Sequence, residues 1–164
     1  MRRSSRSQPG VYEYNLTAAG RELEPLIQAF GIWGQRWVSK ELSLEHLDAA
    51  LLMWDMRRSL DPKPLPKRRS VIHFRYPDAP AAHRTWWLVV EPTGGVDLCL
   101  IDPGFDVDLY VSCDLRTMTA IWMGHDTVRA ATEFRRMLLT GKRELQADMQ
   151  TWLGLSPFAK VERV

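Results

Sequence analysis

Four apolar runs between residues 71 and 113 constrain the fold most strongly, because proline and glycine separate them at short intervals. Apolar and polar side chains alternate in residues 71–76, 96–102 and 107–113, and residues 84–91 contain the continuous run Trp86-Trp87-Leu-Val-Val. Alternation with period two is typical of strands buried on one face, and short links join neighbouring strands into hairpins. The pattern therefore predicts an α+β protein built on a mainly antiparallel sheet.

Helical patterns follow this sheet. Asp114 is a candidate N-cap for a helix with Leu115, Met118 and Trp122 on one side. Residues 127–139 give a second helical pattern, and we expect Gly141 to follow its end as a C′ residue. We expect residues 142–145 to be extended and residues 147–153 to form the last helix.

Before the sheet, residues 17–37 carry an apolar stripe at helical spacing, with Thr17 as the N-cap candidate. Pro25 lies inside this pattern, which predicts a kink or a late helix start. The residues on this face, six large apolar side chains and the small Gly34, are Leu23, Leu26, Ile27, Phe30, Trp33, Gly34 and Trp37.

A second helix is predicted to begin at Ser43, with Leu44, Leu47, Leu51 and Trp54 on one face. We expect it to end before residues 61–66, where three prolines in five residues predict a stiff linker.

Length, charge and cysteine content exclude several classes of protein. The 164 residues carry a net charge of +2 and contain no apolar stretch of about 18 residues, so no membrane span and no membrane partner are predicted. Residues 1–70 hold 12 Lys/Arg and 8 Asp/Glu, whereas residues 71–164 hold 10 and 12. Two cysteines fit a reduced cytoplasmic protein.

Residues with catalytic or metal-binding chemistry are scattered. None of the four histidines, His46, His73, His83 and His125, has the spacing of a zinc site, and the aspartates of residues 97–114 do not match a calcium loop. Cys113 has no histidine within a few residues that would act as its base. We therefore predict no catalytic residue, no metal, no cofactor and no enzymatic activity.

Residues 12–37, Tyr12-Glu-Tyr-Asn-Leu-Thr-Ala-Ala-Gly-Arg-Glu-Leu-Glu-Pro-Leu and onward to Ile-Trp-Gly-Gln-Arg-Trp37, resemble the end of an HxlR-type winged-helix transcription regulator of bacteria. There the second wing strand leads into a closing helix that mediates homodimerisation. The resemblance implies that the apolar stripe of residues 23–37 pairs two subunits.

In that family the helix-turn-helix precedes the wing, whereas only ten residues precede the strand here. The resemblance therefore implies a segment without its recognition helix, either a natural remnant or a chain whose start was assigned too far downstream. Only Arg2, Arg3 and Arg6 in the remaining wing would contact DNA, and they would contact its phosphates. Phosphate contacts alone are expected to give weak binding that does not distinguish between DNA sequences.

Residues 71–158 resemble the sterol-carrier-protein-type lipid-binding domain, on Val107-Asp-Leu-Tyr-Val-Ser-Cys-Asp-Leu-Arg-Thr-Met and on Trp152-Leu-Gly-Leu-Ser-Pro-Phe158. The resemblance implies a curved sheet of about five strands, covered by helices around an apolar cavity. Strand alternation and helix faces give the ligand-lining candidates Phe74, Trp86, Trp87, Leu98, Leu100, Leu109, Val111, Met118, Trp122, Phe134, Leu138 and Trp152.

Three parts are thus expected: a winged-helix remnant over residues 1–41, a helix with a proline-rich linker over 42–70, and the ligand-binding domain over 71–164. The leading hypothesis is a dimeric sensor module that binds a small apolar or lipid-like ligand. Two alternatives stay open, namely a DNA-binding regulator acting through the basic wing, and a structural or interaction protein with a filled core.

Overall fold

The computed structural model describes residues 2–4, 12–38, 46–162 and 164. Its contacts divide the chain into two compact units, residues 1–38 with 161–164 and residues 39–160. The expected three-part division stays a prediction.

The first unit pairs two short strands and continues into two helices, β1 (Arg2–Ser4), β2 (Tyr12–Tyr14), α1 (Ala18–Glu22) and α2 (Glu24–Trp37). The strands are antiparallel. The Thr17 side chain accepts a hydrogen bond from the Gly20 amide at 3.1 Å, which confirms the predicted N-cap. Pro25 lies in the first turn of α2, where a missing amide proton costs little, and the helical segment is interrupted just before it, at Leu23 between α1 and α2.

Over its described residues, 46–160, the second unit has a five-stranded sheet, five α-helices and a 3-10 turn at Ala81–His83. The strands are β3 (Ser70–Arg75), β4 (Thr85–Val90), β5 (Val96–Cys99), β6 (Leu109–Cys113) and β7 (Met137–Gly141). The helices are α3 (Ala49–Ser59), α4 (Leu115–Trp122), α5 (Val128–Glu133), α6 (Arg143–Ala147) and α7 (Met149–Trp152).

The order of the strands is β5-β4-β3-β6-β7, and three of the four pairs are antiparallel. This arrangement confirms the predicted α+β class and the mainly antiparallel sheet. The prediction of hairpin links was wrong for β5 and β6, because β6 pairs with β3 in parallel. The chain between them passes β4 and β3, a crossing that local turn signals do not reveal.

The region after α4 differs most from the sequence expectation. The helix predicted for residues 127–139 ends at Glu133, because Arg135 adopts a left-handed conformation with φ 55°, and residues 137–141 form the edge strand β7. Gly141 is therefore a strand residue opposite Leu109, not a helix C′ residue. Residues 142–145 were predicted to be extended, but Arg143–Ala147 form α6.

Helix α3 shows a different buried face from the predicted one. Asp48 caps it by accepting hydrogen bonds from the Ala50 and Leu51 amides, whereas Ser43 and Leu44 lie outside the described residues. Leu51 and Trp54 are exposed. The buried side chains are Ala49, Leu52, Met53 and Met56. The proline-rich segment after α3 also packs inwards, since Leu65 belongs to the core.

The helices cover one face of the sheet, and the interior between them is filled. Ile72, Phe74, Trp86 and Leu88 point to this inner face from β3 and β4, and all are at most 1% exposed. Met53, Met118, Ile121, Met149 and Trp152 meet them from the helices and have no exposed surface. The Trp152 indole donates a hydrogen bond to the Leu145 carbonyl at 2.8 Å, which satisfies its polar atom inside the core.

A buried carboxylate at the start of β6 holds the two neighbouring strands, β3 and β7, at this end of the sheet. Asp108 accepts hydrogen bonds from the Val71 amide at 2.9 Å and from Arg68 at 3.1 Å, and it pairs with Lys142. Burial alone would raise the pKa of Asp108, but the bonds from Lys142, Val71 and Arg68 outweigh it and lower that pKa. The cluster fixes Lys142, the N-cap of α6, against the start of β6.

Candidate functional site

Six of the twelve predicted ligand-lining residues lie in the filled core. Each is at most 1% exposed and packs against other apolar side chains. They are Phe74, Trp86, Leu109, Val111, Met118 and Trp152. They were chosen because strand alternation and helix faces place them towards the interior, and the structure buries all six there. A ligand role for them stays a prediction.

The other six predicted residues lie outside this core centre. Leu98 and Trp122 are partly buried against its margin. Trp87 projects from the opposite face of the sheet, where its ring centroid lies 4.7 Å from that of His73. Leu100, Phe134 and Leu138 are exposed by 49%, 73% and 65%. Neighbouring strand residues point to opposite faces, so Trp86 and Trp87 cannot line one cavity from their strand positions.

A cleft of about 700 Å³ lies beside the edge strand β7, between α5 and α6. Its volume falls within the range of about 300–1,000 Å³ that is usual for small-molecule sites. Apolar residues from all three elements line it: Val128, Met137, Leu138, Leu139 and Ala147. Leu138 is the member of the predicted ligand set among these lining residues.

The polar part of the lining comes from the two helices and from α7. Gln150 accepts a hydrogen bond from the Val128 amide at 2.8 Å, and Gln146 donates one to the Gly141 carbonyl at 2.9 Å. Both amides are thereby held against the backbone. The remaining polar lining residues are Arg129, Thr132 and Arg143.

Sequence reasoning missed this cleft because it read residues 127–139 as one helix. The cleft exists because the chain turns at Arg135 and returns along β6 as a strand. Five strand residues with only Met137 buried give too little alternation to be distinguished from a helix end.

Helix α2 exposes the apolar stripe that the sequence predicted. Leu23, Leu26, Ile27, Phe30, Trp33 and Trp37 are all between 55% and 72% exposed. A hollow of about 320 Å³ on this face is lined by Leu26, Ala29, Phe30 and Trp33. Among the described residues, no atom lies within 4 Å of the position where a Cβ atom on Gly34 would stand. Contiguous apolar surface of this kind is typical of an interaction site.

The three arginines predicted to contact DNA are only partly described. Arg2 and Arg3 lie in β1 opposite Tyr14 and Glu13, and Arg6 lies outside the described residues. Their DNA contact stays a prediction.

In the described part of the chain, no group of three or more His, Cys, Asp and Glu side chains could hold a metal ion. Cys113 is buried, and desolvation with the nearby charges of Asp114 and Asp78 raises its thiol pKa to about 12. Such a thiol stays protonated and unreactive near neutral pH. No helix among the described residues has the length and apolarity to span a membrane.

Comparison with known proteins identifies the first segment. The family of HxlR-like helix-turn-helix proteins matches residues 1–42, which confirms the resemblance predicted from residues 12–37. No curated protein matches the chain by sequence.

Solved structures are similar to the larger part of the chain. The sec-alkyl sulfatase PisA1 from Pseudomonas sp., in a double-mutant form, is 13% identical with a TM-score of 0.54, and the match covers 72% of this chain and 18% of that one. Sterol carrier protein 2 from Yarrowia lipolytica is 12% identical with a TM-score of 0.45, and the match covers 66% of this chain and 91% of that one. Sterol carrier protein 2 like 2 from Aedes aegypti is 20% identical with a TM-score of 0.44, and the match covers 62% of this chain and 92% of that one. The chain thus spans less than a fifth of the sulfatase.

Proposed function

We propose that this chain is a non-enzymatic ligand-binding and dimerisation module of an HxlR-type transcription regulator. A small apolar or lipid-like molecule binds in its second unit, and helix α2 pairs two subunits. The observation that carries the ligand proposal is the apolar cleft beside β7. The HxlR-like segment at residues 1–42 supports the regulatory setting.

The ligand site of this proposal is the cleft and not the centre of the core. The inner face of the sheet is occupied by large side chains with no exposed surface, so a ligand there would have to displace them. The cleft already provides volume and apolar walls. Burial of apolar ligand surface against these walls would supply the binding free energy.

Filling the cleft tests the proposal. Isothermal titration calorimetry of the full chain with decanol, kept below its aggregation limit, is expected to show saturable binding with a negative heat-capacity change. Ala147→Trp places a large ring on the cleft wall and is expected to weaken binding at least about tenfold. Ala82→Trp, on the exposed 3-10 turn outside the lining, is the matched control and should bind as the wild type does. Absence of saturable binding to the wild type, or equal loss in both variants, would contradict the proposal.

Pairing through α2 has a separate test. The exposed stripe would gain about 1.5–3 kcal/mol for each large side chain that a partner buries fully. Sedimentation velocity at micromolar concentration is therefore expected to show a dimer, and Phe30→Glu is expected to shift it to monomer. Gln28→Glu introduces the same charge on α2 outside the stripe and should remain dimeric. A wild-type monomer would refute the pairing.

The alternative of a DNA-binding regulator acting through Arg2, Arg3 and Arg6 is favoured by the family match to residues 1–42. It stays a prediction beside the ligand-binding function.

A further inference from the structure

The charged residues in the lining of the cleft are all positive. Its ten described residues include Arg129 and Arg143 and no aspartate or glutamate. The two arginines come from different helices, α5 and α6, and so reach the cleft from two sides. A small site with two cations and no carboxylate in its wall favours an anionic group within it.

Arg143 is the stronger of the two candidates because its charge is uncompensated. Within the described part of the chain, no residue forms an ion pair or hydrogen bond with the Arg143 side chain. Arg129 pairs with Glu133 at 3.4 Å, and both side chains are largely exposed, so that pair is weak and exchanges readily with solvent. The nearby acidic residue Glu144 is engaged with Arg68 at 3.3 Å.

The rest of the lining fits the other half of an amphiphile. Val128, Met137, Leu139 and Ala147 form an apolar wall, and the side-chain amides of Gln146 and Gln150 are already bound to the backbone. The glutamine amides are neutral donors, whereas the two guanidinium groups are charged, so the guanidinium groups are the stronger donors for an anion. A guanidinium group binds a carboxylate or a phosphate through paired hydrogen bonds.

We infer that the cleft selects amphiphiles with an anionic head group, and that Arg143, assisted by Arg129, sets this selectivity while the apolar wall holds the chain. The inference rests on the proposed ligand-binding function and adds the chemical class of the ligand. Carboxylate and phosphate heads share the required chemistry.

Chain-matched ligands test the inference on the full-length chain. Calorimetric titrations use undecanoate, decyl phosphate, decanol and decyltrimethylammonium, which share a ten-carbon alkyl chain and differ only in the head group. At least one of the two anions is expected to bind about tenfold tighter than decanol, the gain typical of a charge-assisted hydrogen bond. The order of the two anions assigns the carboxylate or the phosphate as the preferred head.

Arg143→Gln is expected to reduce the anion-to-decanol ratio to about one while decanol affinity stays unchanged, since a lost charge affects only the charged head. Arg143→Lys should retain part of the ratio. Arg75→Gln, an exposed arginine in β3 outside the cleft, removes the same charge elsewhere and should leave the ratio unchanged.

The outcomes separate the inference from the function on which it rests. If decanol and the anions bind equally, or if the cationic ligand binds as tightly as the anions, the inference is overturned and the apolar ligand site stands. If Arg75→Gln lowers the ratio as much as Arg143→Gln does, long-range charge explains the preference and the inference is again overturned. If none of the four ligands binds, both fail together.

Discussion

Replacement of Trp152 by alanine is expected to lower the free energy of unfolding by about 3–5 kcal/mol, the range for removing a large aromatic side chain from a packed core. Trp152 has no exposed surface, and its indole donates a hydrogen bond to the Leu145 carbonyl. The variant therefore loses apolar burial, leaves a cavity and abandons a buried carbonyl acceptor. Urea titration followed by circular dichroism measures the change.

Trp54 provides the matched control, because it is a tryptophan on the surface of the same unit. It lies on α3 with 45% of its surface exposed, and the Arg57 guanidinium lies 5.4 Å from its ring centroid. Trp54→Ala is expected to cost less than about 1 kcal/mol. A loss for Trp152→Ala as small as that of the control would mean that the interior around Trp152 is loosely filled, contrary to the packing described above.

Gly154→Ala is the second change with a large expected effect, a loss of about 2–5 kcal/mol. Gly154 has φ +60°, and a Cβ atom built there would lie 1.8 Å from the Ser59 carbonyl oxygen at the end of α3. The left-handed conformation costs an alanine about 1–2 kcal/mol, and displacing packed backbone costs about 1–3 kcal/mol more. The same urea titration measures the sum.

Gly104→Ala separates the two contributions. Gly104 also has a positive φ, +75°, but no atom of the described residues lies within 4 Å of its added Cβ atom. It is expected to lose only the conformational part, about 1–2 kcal/mol. Equal losses of unfolding free energy in both variants would show that the Ser59 backbone moves aside at no energetic cost. Close packing between residue 154 and α3 would then contribute nothing to stability.

The elements with strong local signals were predictable. Thr17 and Asp114 were recognised as N-caps because a side-chain oxygen that satisfies a free helix amide is a local arrangement. The strand runs of residues 71–113 were recognised from alternation, and the α2 stripe from its spacing. The alternation and the stripe show which side chains of a single strand or helix face away from water. The sequence of that one element contains this information.

The cleft could not be predicted in the same way. It depends on a left-handed residue at Arg135, on β7 pairing with β6, and on α6 and α5 lying on either side of that edge strand. None of these is a property of a single window of sequence. The predicted ligand set shared only Leu138 with the lining, because burial within a strand or helix identifies core packing and does not distinguish it from a binding site.

The amino-acid sequence by itself determined the class of fold, the caps, the apolar stripe of α2 and the HxlR-like segment, since all of these depend on residues close together in the chain. Only the tertiary structure decided which apolar residues fill the core, where β6 enters the sheet and where a cleft with two arginines opens. The physical reason is that pairing and packing between distant segments are settled by the total burial and hydrogen bonding of the folded chain, which no local pattern encodes.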